Sequence, residues 1–97
     1  MKIRLLKSAS SDIKEGYKFY STREEGLAEY FKATLFSEID DLTFQAGIHP
    51  IIKGYHRKLT KTFPYAIYYK VTDEEVVISA VLDCRRNPEY LNKKLSE

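Results

Sequence analysis

Cysteine occurs once in these 97 residues, tryptophan not at all, and proline and glycine only three and four times. A lone Cys84 excludes an internal disulfide, and no Cys-x-x-Cys or Cys/His spacing exists to hold a structural metal. The glycines never gather into a phosphate-binding loop, and HExxH, GxSxG and an Asp/Glu ladder at metal spacing are all missing, so the standard enzyme motifs and any cofactor are excluded. Long apolar runs are missing too. The longest, Val76 to Leu82, is interrupted by Ser79 and falls far short of the ~20 residues that a membrane helix needs. The basic start, Met1 to Lys7, lacks the apolar stretch and small-residue cleavage site of a secretory signal, which together with the single cysteine points to the cytoplasm. Charge of one sign is also scarce: a net +2 is too weak for generic coating of nucleic acid.

What is present is a chain with 43% hydrophobic, 13% aromatic and 31% charged residues, the composition of a globular fold and not of a disordered one. Its length predicts a single domain over 1–97. The charge is uneven: residues 1–48 hold 7 Lys and Arg against 8 Asp and Glu, whereas 49–97 hold 9 against 6. Lys53, Arg57, Lys58 and Lys61 follow one another with no acid between them, and Arg85-Arg86 forms a second basic pair.

The pattern predicts a first strand over 2–7, and Ser10 or Ser11 as cap of a helix near 11–22, with Ile13, Tyr17 and Tyr20 on one stripe. A second helix near 26–45 carries Leu27, Phe31, Leu35, Ile39 and Leu42, making a helical hairpin with the first, and Ala46 to Pro50 ends it. The texture then turns β-branched and aromatic. Ile51-Ile52 and Tyr55 to Leu59 are expected as one strand interrupted at Gly54, with further strands at 63–72 and 76–84 joined by the polar turn Thr72 to Glu75. Simple alternation puts Val76, Ile78, Ala80 and Leu82 on one face of the last strand and Val77, Ser79, Val81 and Asp83 on the other. Both faces are largely apolar, so this strand is expected to be central. Asn87-Pro88 reads as cap and first position of a short terminal helix. The fold class is α+β: strand, helical hairpin, three-strand antiparallel meander, short helix, with the hairpin packed on the sheet.

His49 and His56, seven apart and separated by a Pro and a Gly, read as loop or surface histidines, and Cys84 as a small side chain ending a strand. The informative set is Arg57, Lys58, Lys61, Arg85 and Arg86, with Tyr90 placing a phenol beside the guanidinium pair. Scattered surface charge and a functional patch are equally compatible with this set. A ribonuclease reading assigns His56 as base, Arg57 and Arg86 as phosphate-neutralising charges and Tyr90 as a stacking group.

The segments Phe63-Pro64-Tyr65-Ala66-Ile67-Tyr68-Tyr69, Asp73 to Ile78 and Leu82-Asp83-Cys84-Arg85-Arg86-Asn87-Pro88, with the opening helix at 10–20, resemble the RelE/ParE family of type II toxins over nearly the full length. The resemblance implies a small α+β toxin held inactive by a cognate antitoxin protein. It also implies one of two targets: mRNA on the ribosome, cut by RelE-like members, or DNA gyrase, inhibited by ParE-like members without nuclease chemistry. RelE-like nucleases carry an arginine where Ala66 stands, or a histidine near 83–90, and neither is here. The Phe63-Pro64-Tyr65 start and the Arg86-x-Pro88 exit resemble the ParE-like, plasmid-stabilisation branch. This implies a non-enzymatic gyrase inhibitor, with the ribosome-dependent nuclease and an inactive partner-binding relative as alternatives. Arg57, Lys58, Lys61, Arg85, Arg86 and Tyr90 are the expected contacts to target or antitoxin.

Overall fold

The computed structural model describes residues 1–96; residue 97, the last of the expected domain, lies outside them. The chain forms β1 (Lys2–Leu5), α1 (Lys7–Ser21), α2 (Leu27–Gln45), β2 (Ile51–Ile52), β3 (Tyr55–Leu59), β4 (Tyr65–Val71), β5 (Glu75–Asp83) and α3 (Pro88–Leu95). The sheet order is β1-β5-β4-β3-β2, with β1 parallel to β5 and every other pair antiparallel. β5 is therefore central, as its two apolar faces require. No helix among the described residues is long and apolar enough to cross a membrane.

α1 begins four residues before the expected cap. Leu6, not Ser10 or Ser11, stands at the N-cap position and contributes no side-chain cap bond. The cause lies in the sheet. Leu6 N–H donates to the Ile78 carbonyl and the Ser8 hydroxyl to the Ser79 carbonyl, so β5 holds the first turn in place. The expected interrupted strand is a hairpin of two strands. Lys53 and Gly54 both take positive φ, 52° and 84°, as a two-residue type I′ turn requires, and the chain reverses there.

The alternation expected along β5 fails at Ser79. Pairing steps from Tyr68↔Ala80 to Tyr69↔Ile78, which leaves Ser79 without a β4 partner. One extra residue turns every later side chain to the other face. Val76, Ile78 and Val81 consequently share the hairpin-side core with Ile13, Phe31, Leu35, Ile39, Tyr65, Ile67 and Tyr69, while Ala80 and Leu82 join Ala66, Tyr68 and Leu95 on the opposite side. Tyr17 and Leu27, also expected in the hairpin-side core, pack against it half-buried.

α1 approaches the core closely because of Gly16. A Cβ there would lie 2.8 Å from Phe31 Cζ and 3.0 Å from the Tyr65 hydroxyl. The Phe31 ring sits 5.0 Å from the rings of Tyr20 and Tyr65 and 5.2 Å from Phe63, an aromatic cluster that closes the hairpin over the sheet.

Candidate functional site

β1 pairs with β5 only as far as Ile78, so from Ser79 to Asp83 the side of β5 away from β4 is a sheet edge without a strand partner. α1 covers it with polar side chains instead. Ser8 bonds the Ser79 carbonyl, and one helical turn later Asp12 accepts from the Val81 N–H at 3.0 Å. The second oxygen of Asp12 meets Lys94 Nζ from α3 at 3.1 Å, so one carboxylate ties helix, strand edge and terminal helix together. Burial pushes the Asp12 carboxyl above the usual carboxylate range, with the Val81 and Lys94 bonds opposing. The same bond to Asp12 raises the Lys94 ammonium.

Beyond that edge the chain turns through Asp83 to Asn87. Arg85 grips Asp83 with Nε at 3.0 Å and Nη2 at 2.8 Å, and its backbone N–H adds a bond at 2.9 Å. Burial would raise Asp83, but these bonds outweigh it and hold the carboxyl below its ordinary value. Asn87 caps α3 by accepting from the Tyr90 N–H at 2.9 Å, with Pro88 at the first position, and this fixes Tyr90 one turn in. The Arg86 guanidinium lies 3.7 Å from the Tyr90 ring centroid and 4.0 Å from a Glu15 oxygen. Between these elements is a cavity of about 180 Å³, lined among others by Asp12, Glu15, Tyr65, Asp83, Arg86 and Tyr90.

The structure divides the basic set. Arg85, Arg86 and Tyr90 share the corner at the exit of β5. Lys58, expected as a contact residue, is only 6% exposed: its ammonium donates to the Glu38 carbonyl at 2.8 Å and lies 3.6 Å from the Glu38 carboxylate and 3.9 Å from Asp41. It fastens α2 to the sheet. Lys61 lies beside it, its backbone N–H bonded to Glu38 and its side chain on a groove along α2 with Tyr30 and Asp41. Arg57 pairs across with Tyr68 on the α3 side of the sheet, where its charge draws the Tyr68 phenol and the Cys84 thiol downward against the burial that raises both.

His56, next to Arg57 in the chain, faces the helix side, stacked on Tyr69 at 5.1 Å, with Nδ1 bonded to the His49 carbonyl at 2.7 Å. His49 Nδ1 in turn bonds the Tyr69 hydroxyl, which also accepts from the Gly47 N–H. The two histidines clamp the loop after α2 onto the sheet. Among the described residues no group of three His, Cys, Asp or Glu is placed to hold a metal ion.

The sequence reading passed over Asp12, Glu15, Asp83 and Lys94. One signal was available: Ala9, Asp12, Ile13, Gly16 and Tyr20 fall at helical spacing on one buried stripe, and an acid inside such a stripe demands a partner. Which partner it meets is set by the strand edge, 69 residues away.

A family model described as "ParE toxin of type II toxin-antitoxin system, parDE" matches residues 3–88. Among solved structures, the chain is similar in fold to one from the "Chromosomal ParDE TA system from P. aeruginosa". The TM-score is 0.71 at 18% identity, covering 84% of this chain and 92% of that one. No curated protein matches the sequence.

Proposed function

Because the chain belongs to the ParE toxin family of type II toxin-antitoxin systems, we propose that its target is DNA gyrase, that it acts in the cytoplasm without enzymatic chemistry of its own, and that it does so when released from its antitoxin. The observation that carries the reading is the separation of the groups a ribonuclease would need to bring together. Cleavage through the RNA 2′-oxygen requires a base, phosphate-neutralising cations and an acid around one phosphate. His56 lies on the helix side of the sheet with one ring nitrogen already bonded, Arg57 lies on the other side, and Arg86 and Tyr90 sit at the β5 exit. Ala66, fully buried, offers no cation between them. Exposed Arg85, Arg86 and Lys61, with the half-buried Arg57 and Tyr90, serve to dock target or antitoxin.

The test is purified protein in a gyrase supercoiling assay. Inhibition, or trapping of the cleaved-DNA complex, is expected, weakened by the double change Arg85→Ala/Arg86→Ala and unaffected by His56→Ala. Codon-specific cuts in mRNA on translating ribosomes, lost in His56→Ala or Tyr90→Phe while gyrase is untouched, would replace this reading by the nuclease one. For the antitoxin, a partner segment with acidic residues is steered by the basic corner, so added salt slows association more than it speeds dissociation. An on-rate indifferent to salt and to the double change would remove Arg85 and Arg86 from the docking surface.

A further inference from the structure

α1 and α2 meet over the end of β1 in a groove that the recognition residues at the β5 exit do not touch. Its volume is about 280 Å³, close to the ~300 Å³ at which small-molecule sites begin. Leu5, Ile13, Phe36 and the Tyr17 ring make it apolar, and Ser10 adds one hydroxyl. The only charged side chains in its lining are two cations, Lys14 and Lys32. Glu29, one turn before Lys32, accepts from the Tyr17 hydroxyl and so holds that ring in the wall.

Both lysines are exposed, and among the described residues neither forms an ion pair. The Lys32 ammonium lies 6.0 Å from the Tyr17 ring centroid, and Lys14 stands one turn before that ring on the same face of α1. Uncompensated positive charge at the rim of an apolar depression is complementary to an occupant with an apolar body and one negative end. The depression is also short. Farther along the same helix faces stand Ser21 and Glu29 toward the hairpin turn, and Asp40 and Thr43 toward the other end, all exposed. A docked helix is held by a row of anchors at i, i+3 or i+4 and i+7, and such a row would run onto these polar residues.

We infer that the groove binds a small amphiphile with one carboxylate head, of the chemical class of a medium-chain fatty acid. The carboxylate meets the Lys14 and Lys32 ammoniums, which donate to it, and the chain lies on Leu5, Ile13 and Phe36. An apolar cavity of about 150 Å³ takes benzene, so this one accommodates a chain of roughly eight to ten carbons. The site is independent of the toxin's target.

Octanoate, octanol and octylammonium place three head groups on one tail. Each is titrated into the full chain below its aggregation limit while the ring NMR signals of Tyr17 and Phe36 are followed. Octanoate should saturate with a Kd of about 1 mM, octanol should bind about tenfold more weakly, and octylammonium should give no saturating shift. The double change Lys14→Gln/Lys32→Gln, at two exposed positions, should bring octanoate down to the level of octanol and leave octanol unaffected. Phe36→Ala removes a wall and should weaken both. Octylammonium binding as tightly as octanoate, or octanoate binding unchanged by the double change, would overturn the site. A helical Leu/Glu peptide that binds more tightly than octanoate and is released by the same double change would overturn the free amphiphile in favour of a protein partner.

Discussion

The two faces of the sheet are covered in different ways. On one side α1 and α2 lay a stripe from Ala9 to Leu42 over Tyr65, Ile67, Tyr69, Val76 and Ile78, with the Phe31 ring cluster at one end and the buried Lys58 contact to Glu38 at the side. On the other, one eight-residue helix covers Ala66, Tyr68, Ala80 and Leu82 with Leu91 and Leu95, and Leu59 is left 58% exposed. Small residues at 66 and 80 let so short a helix lie close. The thick face is built for stability. The thin face leaves Arg57 and Tyr90 within reach of solvent, and Arg85 and Arg86 stand exposed at the β5 exit between the two faces, Arg85 beside the hairpin-side Tyr20 and Arg86 between Glu15 and Tyr90.

If that contrast is right, the largest loss follows from breaking the thick face. Phe31→Ala should destabilise by about 3–5 kcal/mol in urea unfolding, because the ring is 1% exposed and three aromatic neighbours cannot collapse into its space. Lys58→Ala comes next at about 3 kcal/mol, since it strands the nearly buried Glu38 carboxylate; replacing the pair together as Lys58→Met/Glu38→Leu should recover most of the loss. On the thin face Leu95→Ala should cost about 2 kcal/mol, and gyrase inhibition should fall more than stability predicts because α3 carries Tyr90. A larger stability loss from Leu95 than from Phe31 would reverse the comparison.

The smallest effect is a pH dependence confined to the thick side. Burial, then the charges of Lys58 and His56, lower His49 below its ordinary value, so folding favours the neutral ring, whose Nδ1 bonds the Tyr69 hydroxyl. Its contribution is complete above the unfolded pKa of about 6.5 and is lost as pH falls through the depressed folded value. Unfolding midpoints at pH 7.5 and below pH 6 should therefore differ more in the native chain than in His49→Gln. Asp12, raised by burial, acts in the opposite sense, its contribution present below about pH 4 and lost as pH rises through its folded value.

Element types were legible because each rests on local chemistry: the stripe of α2, the Asn87-Pro88 start of α3 and the β-branched run of β5 state their own periodicity. The start of α1 was not, because Leu6 and Ser8 are held by β5 and not by a cap. The candidate site was half legible. Arg85, Arg86 and Tyr90 lie close in the chain and meet as neighbours, whereas His56 and Arg57, adjacent in sequence, are sent to opposite faces by strand alternation.

By itself, then, the sequence determined an α+β chain with a helical hairpin, a central apolar strand and a basic exit, since propensity and periodicity act over a few residues. Only the tertiary structure decided that β1 joins β5 in parallel, that Ser79 bulges and turns Val81 and Asp83 toward α1, and that Asp12 closes the exposed edge. Those features depend on backbone groups meeting partners some seventy residues away. No local pattern records which N–H a sheet leaves unpaired.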